Sequence, residues 1–414
     1  MIRKLLTNTT SRQTLSLFFT QLFGLVIGFI TNIFLAKTLD ATLYGKYQFA
    51  LSVLVFLSIF IEFGFFASGS RLLALNTDPR KERELIGTLN LILAAFSIVF
   101  ISIVAILSTF IDNIYDDKIG DMLLVCSVFS FSFLIPFFLD LTLKGTNHIY
   151  LLAGFHFAWK ILFAAYIGVL YITDELSPIN VLLGYSLSCV IPFLVVNAKL
   201  SPSLKNYRSN LNLLRKENII FGYKNYLGRA LGTGSFYMDR ILISYFSSAR
   251  EVGFYGLAFS FANPLNTFSN ALSASLFKKV SDGRKIPALA LKANFVIIGL
   301  GTVFILVFGY IVIRYYLSAA YISTLPNLYI LTFAVGMQAA YQPFNEWLAS
   351  NGHGGKMFIT AKLFTISNIV LNVGLIPFYG AVGASVATLI SYTYFFIHTY
   401  YYYHKIRIAA DDFK

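Results

Sequence analysis

The chain of 414 residues is 57% hydrophobic and 17% aromatic, and only 12% of its residues are charged, whereas about 25% is usual in a soluble domain. Such a chain cannot cover a folded core with polar surface, which excludes an ordinary soluble enzyme or binding domain. The formal net charge of +13 would suit a nucleic-acid partner, so the placement of the basic residues has to decide.

Apolar stretches of about 20 residues, the length that crosses the hydrocarbon of a bilayer, recur along the whole chain. We place twelve spans at 13–36, 47–70, 88–111, 122–143, 149–171, 179–199, 219–245, 253–277, 288–313, 326–349, 357–379 and 381–403. The longest connection, 200–218, is too short for a folded domain. The sequence therefore predicts an all-α integral membrane protein with about twelve transmembrane helices, and function within or beside the membrane.

The basic residues predict the orientation. Arg3, Lys4 and Arg12 lead into a long first span without the pattern of a cleavable signal peptide, which indicates a retained helix. If the N-terminus is cytoplasmic, most lysines and arginines fall in cytoplasmic loops, as the positive-inside rule requires. We therefore expect a bacterial cytoplasmic membrane protein with both termini inside, and no nucleic-acid partner.

One pattern occurs twice. Gly-x-Tyr-x-x-Ala-x-Ser at 45–52 recurs at 253–260, 208 positions later. The same offset pairs polar residues at two further places, Glu62 with Asn270 and Arg71 with Lys279. Both copies would have the same orientation, which predicts parallel repeats around a central cavity. We expect an N-terminal six-helix lobe at 1–207 and a C-terminal one at 208–414, in a transporter with a channel as the alternative.

Basic residues at membrane depth are candidates for binding an anionic substrate, because a charge near the centre of a span costs about 2.5–3.5 kcal/mol. Lys160 lies near the middle of span 5 with His156 one turn earlier on the same face. The pair either lines a polar cavity or makes a structural contact with a carboxylate such as Glu62. The other candidates are Arg229 and Lys362, with Arg240 either in the cavity or at the outer interface.

Acidic and amide side chains form a second group of candidates. Glu62 and Asp239 are candidates for ion coupling or charge pairing. Span 8 has an asparagine stripe beside Pro264, which can bend a helix. The candidates for cavity lining or gating are Asn263, Asn266, Asn270, Arg71 and Lys279. The sequence has no Gly-rich phosphate loop and no His/Cys metal spacing, so we expect no cofactor, no metal and no enzymatic activity.

Several motifs resemble one family in their order and spacing. They are Leu39-Asp40 with Tyr44-Gly45-x-Tyr47, Glu62-Phe63-Gly64 leading to Arg71-x-x-Ala74, Asp239-Arg240 before Val252-Gly253-x-Tyr255-x-x-Ala258, and Asn368-x-x-x-Asn372 before Pro377-x-Tyr379-Gly380-x-x-Gly383-Ala384. With these motifs the chain resembles the polysaccharide transporter family, the Wzx-type O-antigen flippases. This family lies within the multidrug/oligosaccharidyl-lipid/polysaccharide exporter superfamily.

The resemblance implies a function and partners. It implies two six-helix bundles that carry an undecaprenyl-diphosphate-linked oligosaccharide, an O-antigen or other surface polysaccharide unit, from the inner to the outer leaflet by alternating access. The expected partners are the lipid-linked oligosaccharide, membrane lipids, and the polymerase and chain-length regulator of the same pathway. The alternative is a cation-coupled extruder of drugs or metabolites with the same architecture.

Overall fold

The structure, a computed structural model, describes residues 9–115, 119–280 and 285–411. Within that range it leaves out the side chains of 9–18, 224–225, 228–229, 231–233, 235–236, 274–279 and 409–411. The described part of the chain is helical, with no β-strand. In it, eight helices are long and apolar enough to cross a membrane, or nine if one bent pair is counted as a single span.

The chain divides into two compact units, and the first comprises Met1–Thr31 and Ala50–Gly234. Its elements lie wholly or partly in this range. They are α1 (Thr9–Thr38), α2 (Ala41–Ile61), α3 (Phe65–Leu75), α4 (Pro79–Ile111), α5 (Gly120–Ser127), a 3₁₀ turn (Ser130–Phe133), α6 (Ile135–Gly145), α7 (Ile149–Ile172), α8 (Pro178–Leu200), α9 (Tyr207–Glu217), a π-helical turn (Asn218–Gly222) and the start of α10 (Tyr223–Phe246).

The second unit comprises Asn32–Phe49 and Ser235–Lys414, so the division falls inside α1, α2 and α10. The elements that follow α10 belong to it. They are α11 (Ala249–Ala262), α12 (Pro264–Val280), α13 (Ala288–Ile311), a π-helical turn (Val312–Tyr316), a 3₁₀ turn (Ala319–Ser323), α14 (Thr324–Ser350) and α15 (Gly354–Asp411).

Local sequence explains where several helices begin. The side-chain oxygens of Asp78, Ser177 and Ser248 accept hydrogen bonds from backbone N–H groups two or three residues later, at 2.9, 3.3 and 3.3 Å. These side chains satisfy N–H groups that have no partner within the first turn of a helix. Proline follows directly at the start of α4 and of α8, where its missing N–H costs nothing.

The first ten predicted spans each overlap one helix or consecutive helices, and the last two share one long helix. The prediction of an all-α membrane fold is confirmed. The predicted unbroken span at 47–70 is wrong, because α2 ends at Ile61 and α3 begins at Phe65. Phe63 and Gly64 have φ values of 44° and 83° there, outside the helical region. The helices within 120–145 are likewise bent, by 82°.

The helix α15 contains the last two predicted spans. At 58 residues an unbroken helix would be about 87 Å long, far more than a bilayer crossing requires. The chain leaves the helical conformation at Gly380, with φ 56° and ψ −136°, and this position separates the two spans. A positive φ of this kind favours glycine, because a Cβ would be strained there.

Candidate functional site

A buried carboxylate lies at the centre of the polar contacts of the second unit. Asp239 of α10 is only 3% exposed. Its Oδ2 accepts hydrogen bonds from the hydroxyls of Tyr255 (2.6 Å) and Thr388 (3.0 Å), and its Oδ1 accepts one from Asn372 Nδ2 (2.7 Å). A buried charge is tolerated when such donors replace water. The sequence prediction singled out Asp239 but not these three partners.

The same cluster extends along both halves of α15. Asn372 Nδ2 also donates to Asn368 Oδ1 (3.1 Å), and Thr388 Oγ1 lies 2.9 Å from the carbonyl oxygen of Ala384. Each pair is separated by one turn, so both members lie on one face of their helix. Carboxylate, amide, hydroxyl and carbonyl oxygens are the ligand types that hard cations prefer. In the described residues no group of three or more His, Cys, Asp or Glu side chains could hold a metal ion.

Arg240, the next residue, belongs to a different network. Its Nη1 donates to Gln48 Oε1 at 3.1 Å. The amide of Gln48 in turn donates to the hydroxyl of Tyr44 (2.7 Å) and to Asn32 Oδ1 (3.2 Å). The network joins α10 to the ends of α1 and α2 that belong to the same unit. Arg240 thus contacts an amide side chain, and its position in the cavity or at the outer interface stays a prediction.

The two copies of the sequence repeat meet in this unit. A Cβ on Gly45 would lie 1.8 Å from the carbonyl oxygen of Ala249, and a Cβ on Gly253 would lie 2.8 Å from that of Ala41. Residues 45 and 253 are repeat counterparts, and so are 41 and 249. The contact is therefore reciprocal, as in a twofold interface. Only glycine allows α2 and α11 to approach this closely.

The predicted pair in α7 is divided between two environments. His156 Nε2 lies 2.8 Å from Asp140 Oδ1 of α6, so the histidine has a carboxylate partner. Lys160 is half-buried, with its Nζ 5.0 Å from the centre of the Trp159 ring and its Cγ beside Gly24 of α1. Within the described residues Lys160 has no ion pair or hydrogen bond. Its role in binding an anionic substrate stays a prediction.

Glu62 lies at the break between α2 and α3 and is only 1% exposed. The break is filled by the segment that starts α10. Asn218 Nδ2 donates to the carbonyl oxygen of Phe63 at 3.1 Å. The hydroxyl of Tyr226 donates to the carbonyl oxygen of Phe60 at 3.2 Å. These bonds satisfy backbone groups that the break leaves without helical partners. Glu62 is thus next to a point where irregular backbone is stabilised by tertiary contacts.

Arg71, a candidate for gating, has an acidic partner in the first unit. Its Nη1 lies 2.6 Å from Glu217 Oε1 of α9, and its guanidinium carbon lies 4.9 Å from the centre of the Phe221 ring. The Arg71 side chain is 44% exposed. The ion pair gives Arg71 a structural contact, and its role in gating stays a prediction.

The remaining candidates are dispersed. Asn266 Oδ1 accepts from Gln342 Nε2 of α14 at 3.0 Å, and the carbonyl oxygen of Asn263 accepts from two backbone N–H groups of α12. Asn270 and Lys362 are exposed. The side chains of Arg229 and Lys279 lie outside the described residues. Their binding or gating roles stay predictions.

Sequence reasoning missed most partners of the two networks. Tyr255 stood in the repeat and Asn372 in a family motif, so a signal existed for both. Thr388 and Gln48 are ordinary polar residues within apolar helices and gave none. Only the folded register brings these side chains to Asp239 and Arg240.

A family model and one curated relative match this chain. A family model described as polysaccharide biosynthesis protein matches residues 11–277. The probable flippase AglR of Haloferax volcanii is 26% identical over 168 residues, which cover 38% of this chain and 35% of that protein. The match thus spans about a third of the length of that relative.

Solved structures show the fold. The lipid II flippase MurJ, in an inward closed conformation, matches with a TM-score of 0.73 at 16% identity, over 92% of this chain and 86% of that one. An inward-facing multidrug resistance MATE family transporter of the MOP superfamily matches with a TM-score of 0.67 at 15% identity, over 93% and 99% of the two chains. The predicted family resemblance is confirmed. Because the family model covers more than half of its length, the chain belongs to the polysaccharide biosynthesis protein family.

Proposed function

We propose that this protein is a flippase that moves an undecaprenyl-diphosphate-linked oligosaccharide from the inner to the outer leaflet by alternating access. The oligosaccharide is an O-antigen or other surface polysaccharide unit. One observation carries the proposal: a polysaccharide biosynthesis family chain has the fold of a lipid II flippase along 92% of its length. Such a protein is a transporter rather than an enzyme.

A deletion strain tests the proposal. We expect lipid-linked oligosaccharide to accumulate on the cytoplasmic leaflet and the surface polymer to disappear, because the polymer cannot be assembled outside without the translocated unit. The wild-type gene should restore the polymer. Normal surface polysaccharide in the deletion strain would overturn the proposal.

The second candidate function is a cation-coupled extruder of drugs or metabolites, favoured by the match to a MATE family transporter. The two functions differ in what deletion changes. Loss of an extruder raises sensitivity to toxic cations and leaves the surface polymer intact. Loss of a flippase leaves drug sensitivity unchanged and removes the polymer.

We propose Asp239 as the group that couples transport to a cation, with Glu62 as the second candidate. The support is the position of the Asp239 carboxylate beside the hydroxyl oxygens of Tyr255 and Thr388. The amide nitrogen of Asn372 links Asp239 Oδ1 to a further oxygen, Asn368 Oδ1. A cation bound there would exchange for hydrogen bonds that the carboxylate now accepts. Binding and release could then change the packing of α10 against both halves of α15.

We propose that Lys160, Arg229 and Lys362 contact the diphosphate of the substrate, with His156 and Arg240 as further polar contacts. An anion that leaves water needs fixed positive charge, and charge-assisted bonds to phosphate are among the strongest. Support comes from Lys160, a half-buried cation without an ion pair within the described residues.

We further propose that the chain lies in the cytoplasmic membrane with both termini inside, as two six-helix halves at 1–207 and 208–414. The polymerase and chain-length regulator of the same pathway would then act on the translocated product. The multi-pass nature of the chain is supported by its long apolar helices.

A further inference from the structure

The first unit contains a cavity of about 340 Å³ beside the amphipathic helix α9. Its wall is mostly apolar. The lining includes Phe65 of α3, Leu91, Ala95 and Phe96 of α4, and Tyr207 and Arg215 of α9. The aromatic and aliphatic part of the cavity thus has a cation and a phenol hydroxyl on its α9 side.

The helix α9 has the composition of a helix that lies on a membrane surface. Its basic residues are Arg208, Arg215 and Lys216, all exposed. Its turn towards α10 exposes Ile219 and Ile220 at 76% and 64%. Basic and exposed apolar side chains side by side are typical of helices in the interfacial region of anionic membranes.

The segment that leads into α9 is fixed on α4 beside the cavity. The backbone N–H of Ser203 donates to the carbonyl oxygen of Arg83 at 2.9 Å, and Asn206 Nδ2 donates to Glu84 Oε1 at 3.1 Å. Gly87 is necessary for this approach, because a Cβ there would lie 2.2 Å from the Ser203 carbonyl oxygen. These contacts fix the α9 side of the cavity relative to its α4 side.

Charge on the lining of the cavity is uncompensated. Arg215 has no ion pair or hydrogen bond in the described part of the chain, while Glu217 on the same helix is already paired with Arg71. No carboxylate contributes to the wall. The cavity thus offers an apolar compartment and, among the described residues, one guanidinium without an ion pair.

We propose that this cavity binds one anionic phospholipid of the surrounding membrane, with an acyl chain against Phe65, Leu91 and Phe96 and the phosphate on Arg215. A guanidinium matches the geometry of a phosphate and can donate two parallel hydrogen bonds to it. The Tyr207 hydroxyl, which already receives a bond from Arg208 (3.2 Å), can donate to the same group. The site belongs to the first unit and does not depend on the transported substrate.

Native mass spectrometry of the full-length protein tests the site with phosphatidylglycerol as the probe. We expect one phosphatidylglycerol to bind more tightly than phosphatidylcholine. Arg215→Gln should weaken this binding about tenfold, because it removes a charge-assisted hydrogen bond to the phosphate. Lys216→Gln is the matched control, because Lys216 is a neighbouring cation that does not line the cavity. At physiological ionic strength, where exposed charges are screened, it should change binding by less than about twofold.

A second pair of variants tests the apolar compartment. Ala95→Phe fills the cavity from an exposed position of α4, and Ala94→Phe adds the same ring at an exposed position outside it. We expect only Ala95→Phe to abolish tight binding. Soluble glycerol phosphate should not displace the lipid, because it lacks the acyl chain. Equal effects of Arg215→Gln and Lys216→Gln on binding would overturn the proposal, and so would full binding of phosphatidylglycerol by Ala95→Phe. Displacement of the lipid by glycerol phosphate would overturn the acyl-chain compartment, because the site would then bind the phosphate alone.

Discussion

At the scale of single residues, the carboxylate of Asp239 is the group whose chemistry is most constrained. Asp239→Asn keeps the shape of the side chain but replaces one carboxylate oxygen with an NH₂ group. That NH₂ group, a donor, then faces the Tyr255 hydroxyl or the Asn372 amide, which are donors themselves. Such a mismatch costs about 1–3 kcal/mol. We expect transport in membrane vesicles to fall about tenfold or more and to lose its dependence on an ion gradient.

The control for this prediction is Glu175→Gln, which neutralises an exposed carboxylate after α7. It should leave transport and its gradient dependence unchanged. If Asp239→Asn retained full gradient dependence, the carboxylate would be structural, and Glu62→Gln would be the next variant to measure.

Lys160 is the residue for which a binding role and a structural role predict different results. Since it has no ion pair among the described residues, its replacement breaks no salt bridge. We expect Lys160→Ala to lower transport about tenfold, the loss of one charge-assisted bond to phosphate. Lys160→Arg should retain part of the activity, and the amount of inserted protein should stay normal in both.

Lys199→Ala is the control for Lys160→Ala, because it removes a lysine at an exposed position near the end of α8. Its transport should equal that of the wild type. Full transport by Lys160→Ala would assign that lysine to packing beside Trp159.

At the scale of the helices, the reciprocal contact of α2 with α11 depends on two glycines. Gly45→Ala places a methyl group 1.8 Å from the Ala249 carbonyl oxygen, so the helices must separate. Overpacking of this kind costs about 1–3 kcal/mol. We expect a lower midpoint in thermal unfolding of the purified protein, with a smaller decrease for Gly253→Ala.

Gly168→Ala is the control, because it makes the same substitution at a helix position without a close contact. A Cβ at Gly168 meets no atom within 4 Å, and alanine favours helix by about 1 kcal/mol over glycine. The unfolding midpoint should therefore stay the same or rise. A decrease for all three variants would mean that glycine, and not the close contact, sets the stability.

Exchange of charges across the ion pair between α3 and α9 distinguishes a role of Arg71 through Glu217 from a contact of Arg71 with substrate. An ion pair with this exposure contributes about 0.2–1 kcal/mol to stability. Arg71→Glu should lower transport if the pair matters, and the exchange Arg71→Glu with Glu217→Arg should restore it by re-forming the pair. An arginine that contacts substrate would not be rescued by the exchange.

Hydropathy predicts the location of helices in the sequence but not their breaks. The apolar runs report which segments avoid water, so the predicted spans fall on the helical segments of the described residues. Hydropathy carries no information on φ and ψ, which is why the break at Phe63–Gly64 was missed. The polar networks were missed for another reason, since Thr388 and Gln48 reach their partners only after the helices pack.

At the scale of the whole molecule, the distribution of charge predicts which loops face the cytoplasm. The loop after α6 should lie inside and the loop after α7 outside, because the positive-inside rule assigns the cation-rich ends to the cytoplasm. In a variant with Cys126 and Cys189 replaced, we expect Asp174→Cys to react with a membrane-impermeant maleimide in intact cells. His148→Cys should react only after the membrane is permeabilised. Both positions are exposed, so burial of one side chain within the protein cannot produce the difference in labelling. The reverse labelling pattern would contradict the proposed orientation and invert the proposed direction of transport.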